Sequence, residues 1–401
     1  MTTAADIRFR PRPLGEAEKF FAAREVALTY ILRVEGNLDI EVLRRAFDAL
    51  VVQNPVLKAR VVDNVLEPRD SVELPFEVRT GDPDEFSNGY VKPFKQNEFL
   101  ARVEVVQDGA VADVGLTLSH VIADGNAAVT FLGGLWANYT SIVEAGAPLA
   151  ITPRSIPFGP QHVIDPATVP PLAGLPVAAE FLAPASHLAA GSSAPVREII
   201  RLTRAETTAL AARVRELGAT VHTAVTGAVL ATERSLIPQD GPLPMLVRSS
   251  VDFRALLPTP IEVLDGTNFF GIVMTGVNVA KSDSVLTVGE EVIADMRAHV
   301  ADGSVQYGSV RPWPTKELEA VAPPVSYITN VGRIPAFTLP SDLRGTRMGF
   351  LKLYLPAKAS MYGVFTYAGE LTIDISLPSA GLDEAGRAEL VRGIRDRLLN
   401  V

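Results

Sequence analysis

The sequence predicts an α/β or α+β protein of two domains, with mixed sheets flanked by helices. Strand-like and helix-like segments are interleaved in both halves of the chain. Its 401 residues exceed the size at which a single core stops growing. Ten of the 30 prolines lie between residues 148 and 195, where regular structure should be scarce. We therefore predict an N-terminal lobe over residues 1–170, a proline-rich crossover over 171–195 and a C-terminal lobe over 196–401.

The first half contains a helix followed by a pair of strands. Apolar residues recur at helical spacing after Asp39, a candidate N-cap, and the pattern stops at Asn54 and Pro55. Two alternating segments, ARVEVVQ and VADVGLTLSHV, are separated by Asp108-Gly109, which is a favoured hairpin turn.

The second half opens with a capping-box pattern, Thr203 to Glu206, that predicts a helix reaching about Gly218. A second helix is predicted over about 221–236, and a last one over about 383–399. Between them lie short segments typical of strands: PMLVRSSVDF, GIVMTGVNV, PVSYITNV, MGFLKLYLP and YGVFTYAGELTIDISL.

Composition argues against several classes of function. The net charge of −9 disfavours binding to nucleic acid or to an anionic membrane. There is no signal-peptide pattern and no apolar stretch near the ~20 residues of a membrane span, which predicts a cytoplasmic protein. With no cysteine and five unpaired histidines, we expect no metal site. The phosphate-loop, dinucleotide and serine-hydrolase motifs are also missing.

The segment LTLSHVIADGNAAVTFLGGLW, residues 116–136, contains the principal candidate site. Strand alternation ends at His120, and a buried helix follows. Asp124 is a natural N-cap for this helix, and Gly125 is expected to give the turn a conformation that other residues resist. A histidine fixed at the end of a strand can be reactive and accessible. By itself, the pattern more often marks a structural, hydrogen-bonded histidine and ordinary helix capping than a catalytic site.

Four stretches together resemble a known superfamily. His120 to Gly125 matches HxxxDG, the second histidine onward of the HHxxxDG motif in acyltransferases related to condensation domains and chloramphenicol acetyltransferase. The likeness is nearest to polyketide-associated acyltransferases of the phthiocerol dimycocerosyl transferase type. GNLDIEVLRRAFDALVVQNPVLKAR resembles the opening helix of these proteins, VDFR with Leu257-Pro258 resembles their D-x-R segment, and SYITNVGR resembles their S-x-x-N-x-G-R stretch. Ser119 replaces the first histidine, and alternation points Ser119 away from the face of His120.

The resemblance implies two chloramphenicol acetyltransferase-like lobes that meet at a cleft or tunnel. It implies an acyltransferase in which His120 is the general base. The donor would be an acyl carrier protein or acyl-CoA, with a phosphopantetheine thioester as co-substrate and no other cofactor. The acceptor would be a small-molecule or lipid alcohol. Asp124 would turn from the cleft to an arginine, for which Arg254 is our candidate in a bidentate pair between the lobes. Ser326 and Asn330 are candidates for substrate contact or oxyanion stabilisation.

Several alternatives remain open from the sequence. The same fold could catalyse N-acylation or cyclisation, or could serve as a non-catalytic recruitment module. His222 is either structural or directed at the cleft, and Gly332 either shapes the channel or marks a bulge. Several scattered cations could bind a phosphopantetheine arm or the acidic surface of a carrier protein. A random distribution of charges along the chain would give the same scatter. These cations are Arg311, Lys316, Arg344, Arg347 and Lys352.

Overall fold

The computed structural model describes residues 10–89, 95–171, 196–312, 326–351, 360–378 and 382–401. Two large mixed sheets and a small antiparallel one are flanked by helices, in agreement with the predicted fold class. The predicted crossover lies almost wholly outside the described residues, as do Lys316 and Lys352.

The helices, in chain order, are α1 (Glu16–Ala22), α2 (Ile40–Gln53), α3 (Pro83–Ser87), α4 (Gly125–Ala145), α5 (Arg204–Glu216), α6 (Val221–Leu236), α7 (Val285–Ala301), α8 (Tyr307–Val310) and α9 (Glu384–Leu399). The strands are β1 (Arg12–Pro13), β2 (Ala27–Gly36), β3 (Arg60–Val62), β4 (Val65–Glu67), β5 (Phe76–Thr80), β6 (Ala101–Asp108), β7 (Val111–Ser119), β8 (Val196–Leu202), β9 (Leu243–Asp252), β10 (Phe270–Val279), β11 (Ser326–Ile334), β12 (Leu343–Leu351), β13 (Ser360–Tyr367) and β14 (Glu370–Leu377). The predicted helices and the β6–β7 hairpin are confirmed within a few residues.

The first lobe has a five-stranded sheet in the order β12-β2-β7-β6-β5, with α2 and α4 packed on one face. Its helix α2 begins as predicted, because Asp39 accepts a hydrogen bond from the Val42 N–H at 3.0 Å. Leu43, Phe47 and Leu50 then enter the core. A large apolar cluster on the helix-covered face of the sheet therefore stabilises this lobe.

One strand of the first sheet comes from late in the chain. Strand β12 pairs antiparallel with β2 from Leu343 to Leu351, beginning five residues before the predicted segment. Strand β2 was not among the predicted strands. A segment of the predicted C-terminal range therefore belongs to the sheet of the first lobe. Local alternation could not predict this, because it does not encode which strands pair.

The second lobe has a six-stranded sheet in the order β10-β9-β11-β13-β14-β8. Helices α5, α6, α7 and α9 cover one of its faces and enclose a second apolar cluster. Helices α6 and α7 approach closely at Gly227, where an added Cβ would lie 1.8 Å from the Val285 carbonyl oxygen. No helix in the described ranges has both the length and the apolar composition needed to cross a bilayer.

Candidate active site

His120 lies immediately after β7, at the point where the chain leaves the sheet. Its backbone N–H donates to the Val26 carbonyl at 2.8 Å, which fixes the residue to the beginning of β2. The preceding Ser119 is fully buried, and its Oγ accepts the Val121 N–H at 3.3 Å. Ser119 therefore participates in the turn itself, and the imidazole is held by a rigid strand end.

The imidazole of His120 is enclosed by aromatic rings from two other parts of the chain. It is 9% exposed. The Phe21 ring of α1 stacks on it in parallel, with centroids 3.7 Å apart. Phe270, the first residue of β10, lies 5.9 Å away on the second lobe. The site is thus built by both lobes together with the N-terminal helix.

Asn268, in the loop between β9 and β10, fixes the tautomer of His120. Its Nδ2 donates to the carbonyl oxygens of His120 at 2.8 Å and Val121 at 3.3 Å. Since carbonyls only accept, the amide must face them with its nitrogen, and its Oδ1 then faces His120 Nδ1 at 3.0 Å. An amide oxygen can only accept, so Nδ1 carries the hydrogen. The lone pair of the neutral ring is therefore on Nε2.

Burial keeps this imidazole neutral. Desolvation lowers the pKa of His120 from 6.5 to about 4, against weaker opposing effects of the His120 carbonyl, the Asn268 side chain and the Ala123 carbonyl. The charged form is disfavoured because a protonated ring would lose its hydration in this enclosed position. At neutral pH the ring is a proton acceptor at Nε2.

Asp124 does not contact the imidazole, and instead begins helix α4. Its Oδ1 accepts the Ala127 N–H at 3.0 Å, as the predicted N-cap requires. Its Oδ2 accepts from Arg254 Nη2 at 2.6 Å, and both side chains are buried. Burial raises the pKa of Asp124, while Arg254 and the Ala127 N–H lower it. The structure thus brings the two residues of the predicted pair into contact.

Arg254 binds more groups than the expected bidentate pair. Its Nη1 donates to Asp252 at 2.9 Å, and its Nη2 is shared between Asp124 and the Thr267 carbonyl, at 2.7 Å from the latter. The bidentate geometry was wrong because Asp252 takes the second branch of the guanidinium. Thr267 directly precedes Asn268, so Arg254 connects the motif turn to the loop that orients His120.

Gly125 has a closely packed environment and an ordinary backbone conformation. It is the first residue of α4 and is absent from the described glycines with positive φ, so the expected unusual turn conformation was wrong. An added Cβ would lie 3.1 Å from the Tyr30 hydroxyl and 3.5 Å from Val331. A methyl group here would be a tight contact for the Tyr30 hydroxyl, which would have to move by a few tenths of an ångström, and an ordinary contact for Val331.

Helix α1, which carries Phe21, is anchored by a buried carboxylate. Glu18 is inaccessible to solvent and pairs with Arg12 at 2.6 Å. It also accepts the Gly15 N–H at 2.7 Å and the Thr267 hydroxyl at 2.6 Å. The helix is thereby attached to the same loop as Asn268, which places Phe21 over His120.

The structure does not leave the Ser326 hydroxyl available as an oxyanion donor. Ser326 Oγ donates to Glu233, which also accepts the Tyr362 hydroxyl at 2.6 Å. Burial raises the pKa of the Glu233 carboxyl. Ser326 occupies the beginning of β11 on the side covered by α6, and its hydrogen is already used there.

Asn330 forms a bulge and contacts His222. Its Oδ1 accepts the Gly332 N–H at 2.8 Å, so its Nδ2 faces His222 Nδ1 at 3.3 Å. The register of β11 shifts between Asn330 and Gly332, which has a φ of +81°, and this confirms the bulge alternative for Gly332. His222 lies at the beginning of α6 beside a cavity of about 270 Å³. Burial lowers the pKa of His222 to about 4.

The described members of the predicted cation set already have partners. Arg344 pairs with Glu35 at 2.6 Å, and Arg347 with Asp84 at 2.5 Å. Arg311 donates to the Pro166 carbonyl at 3.0 Å. Each of these three cations is therefore engaged by a group of the protein itself.

Sequence reasoning missed Asn268 and Phe21. Asn268 lies in the loop segment DGTNFFG, where asparagine and glycine normally indicate a turn. Phe21 belongs to EKFF, an aromatic pair in a short helix. The available signal for Asn268 was its position just before the strand that follows VDFR, but its partner His120 is 148 residues away.

Comparisons with known proteins agree with this architecture. Residues 191–376 match the family model described as the phthiocerol/phthiodiolone dimycocerosyl transferase C-terminus. The chain is 26% identical to phthiocerol/phthiodiolone dimycocerosyl transferase of Mycobacterium leprae over 394 residues, which covers 90% of this chain and 91% of that protein.

Solved structures share the fold. Polyketide synthase associated protein 5 from Mycobacterium tuberculosis matches with a TM-score of 0.75 and 22% identity over 97% of each chain. The first condensation domain of the CDA synthetase matches with a TM-score of 0.72 and 15% identity, covering 98% of this chain and 97% of that one.

The chain therefore shares its fold with condensation domains and with polyketide synthase associated protein 5, and the resemblance predicted from the sequence is confirmed. Within it, the chain is similar to the polyketide-associated acyltransferases named for phthiocerol dimycocerosyl transfer.

Proposed function

We propose that this protein transfers an acyl group from a thioester to a hydroxyl group, with Nε2 of His120 as the general base. The donor is an acyl carrier protein or acyl-CoA, whose phosphopantetheine thioester is the co-substrate. The acceptor is an alcohol of a polyketide, a lipid or another secondary metabolite. The observation that supports this function is the hydrogen bond from His120 Nδ1 to Asn268, because it leaves Nε2 unprotonated.

The reaction requires one group that first accepts and then returns a proton. Nε2 removes the proton of the alcohol as its oxygen attacks the thioester carbonyl. The resulting tetrahedral intermediate collapses, the carbon–sulfur bond breaks, and Nε2 returns the proton to the thiolate. The thioester is already activated, so the step needs no covalent enzyme intermediate. A positioned base contributes about 10²- to 10⁴-fold to such a step.

Asp124 and Arg254 act in this proposal as positioning residues. Neither contacts the imidazole, but Arg254 binds both Asp124 and the backbone next to Asn268. Through these contacts the beginning of α4 and the β9–β10 loop hold the two sides of His120. Similarity to a phthiocerol/phthiodiolone dimycocerosyl transferase and to a polyketide synthase associated protein supports transfer to a polyketide or lipid.

The test compares wild type with His120→Ala and a matched control, His162→Ala. His162 is exposed and its Nδ1 contacts the Gly159 carbonyl at 3.1 Å, away from the motif. Using a short acyl-CoA and a long-chain alcohol, we expect His120→Ala to lower kcat by about 10²- to 10⁴-fold. The control should stay within a few-fold of wild type. Equal rates of turnover in wild type and His120→Ala would remove the base role, and absence of turnover in both would favour a recruitment module.

A further inference from the structure

The second sheet has an inner face that is turned towards the first lobe. Val247 and Ile328 point into the core beneath α6 and α7, so the residues next to them in β9 and β11 point to the opposite side. On that side Phe365 joins the core of the first lobe. Phe350 of β12 packs against Gly363, where an added Cβ would lie 1.9 Å from the ring. Side chains on this inner face therefore line the space between the lobes.

Arg248 lies on the inner face without an acidic partner. It follows Val247 in β9 and is in register with Met274 of β10 and Tyr327 of β11. Its Nε is buried and has no hydrogen-bond partner, and no carboxylate in the described part of the chain pairs with it. Burial lowers the pKa of Arg248, which reflects the cost of holding a cation there. Charged groups are rarely buried without a partner.

Three other arginines with little exposed side-chain surface have acidic or carbonyl partners, although Nε of Arg254, like that of Arg248, is buried without a hydrogen bond. Arg254 binds Asp124 and Asp252, and Arg197 binds Asp374. Arg234 donates to the backbone carbonyls of Val279 and Ile237 at 3.0 and 3.1 Å. Arg248 differs because no acidic group among the described residues pairs with its half-buried guanidinium.

Hydroxyl groups accompany Arg248 on the same face. Burial raises the pKa of Tyr327 to about 12, so its hydroxyl is a hydrogen-bond donor at neutral pH. Ser250, two residues after Arg248, donates to Thr329 at 2.9 Å. A guanidinium next to a tyrosine hydroxyl favours an anionic oxygen acceptor, since a guanidinium has donors only.

The position of Arg248 separates it from the reacting atoms. It precedes Asp252 by four residues on β9, or about 13 Å at ~3.3 Å per residue. Asp252 contacts both Arg254 and Asn126 at the motif turn. An anion at Arg248 would thus belong to a part of a co-substrate that does not react.

We propose that Arg248 and Tyr327 form an oxyanion-binding subsite between the lobes, which holds a phosphate or carboxylate of a co-substrate. This inference rests on the proposed acyl transfer. The group is either the phosphate of a phosphopantetheine thioester or an acidic group on the acceptor alcohol. The subsite adds binding energy away from the reaction centre, so its loss affects KM more than kcat.

Binding experiments test the subsite independently of catalysis. Titration calorimetry on the full chain would compare phosphopantetheine with pantetheine, which lacks the phosphate. We expect Arg248→Met to weaken phosphopantetheine binding by about tenfold or more and to leave pantetheine binding within twofold. His120→Ala should bind phosphopantetheine as wild type does. If His120→Ala loses turnover but still binds phosphopantetheine, the result tests the role of His120 in acyl transfer and leaves the Arg248 subsite unaffected.

Kinetic assays identify the source of the anion. If Arg248→Met raises KM for a carboxylate-bearing alcohol but not for its neutral analogue, the group belongs to the acceptor. The matched control is Arg344→Met, because the Arg344 side chain is 75% exposed and pairs with Glu35. Unchanged phosphopantetheine affinity together with unchanged KM for both alcohols would overturn the subsite, as would equal losses in Arg344→Met.

Stability separates ligand binding from a structural role. Removal of a half-buried cation that has no acidic partner among the described residues should keep or raise the melting temperature of the ligand-free protein. Arg248→Lys should retain part of the phosphopantetheine affinity, since it keeps the charge without the planar fork. A strongly lowered melting temperature in both variants would show that Arg248 supports the fold, which contradicts the proposal.

Discussion

Replacement of Phe21 by alanine should raise the pKa of His120. Phe21 covers one face of the imidazole at 3.7 Å, and desolvation is the dominant reason that the pKa of His120 is about 4. Loss of the stacked ring also has a smaller effect that lowers the pKa, because an aromatic ring stabilises an adjacent imidazolium by about 0.5–1 kcal/mol. The full shift of His120 corresponds to about 3 kcal/mol, so restored hydration outweighs the lost contact.

The size of the pH effect follows from the pKa of His120 in the unfolded protein and in the folded protein. The unfolded His120 binds a proton near pH 6.5 and the folded ring only near pH 4, so acidification favours the unfolded state between these values. Through His120 alone, wild type should lose about 2 kcal/mol of unfolding free energy between pH 7.5 and 5. If Phe21→Ala raises the pKa to about 6, the neutral fraction at pH 5 falls from about nine-tenths to about one-tenth.

The assay is the pH dependence of kcat/KM from pH 4.5 to 8, with an NMR titration of the His120 ring as a second measurement. Wild type should be nearly flat down to about pH 5. Phe21→Ala should lose about tenfold between pH 7.5 and 5. Phe20→Ala is the control, because Phe20 contacts Phe21 and Arg24. A His120 titration that stays near pH 4 in Phe21→Ala would refute the assignment of the shift to burial under this ring.

Two further predictions concern the residues that hold His120. Asn268→Leu removes the group that accepts from His120 Nδ1 and that donates to two backbone carbonyls. In protein that circular dichroism shows to be folded, kcat/KM should therefore fall by about 10²-fold. An unchanged rate would contradict the assignment of the tautomer to this hydrogen bond. Arg254→Met leaves Asp124 buried without its cation and should cost about 3–5 kcal/mol in urea unfolding. Adding Asp124→Asn should recover part of this loss, and a cost below about 1 kcal/mol would count against a buried ion pair.

The sequence alone determined the local elements whose signals lie within a few residues. The cap at Asp39 and the hairpin at Gly109 are formed by neighbours in the chain, so pattern and propensity suffice to predict them. The same holds for the change from strand to helix around His120, and this change of pattern indicated the candidate site. Four separated stretches in the family order then indicated the superfamily.

Tertiary structure decided which distant groups meet at the imidazole. Strand β12 joins the first sheet, Phe21 stacks on His120, and Asn268 selects the tautomer, although each contact spans a large sequence separation. Packing also decides which groups are unavailable. The Ser326 hydroxyl fits a sequence motif, but it donates its hydrogen to Glu233 because α6 packs over β11. Sequence patterns report which face of an element is buried, but hydrogen bonds and desolvation depend on the partner that packing brings to that face.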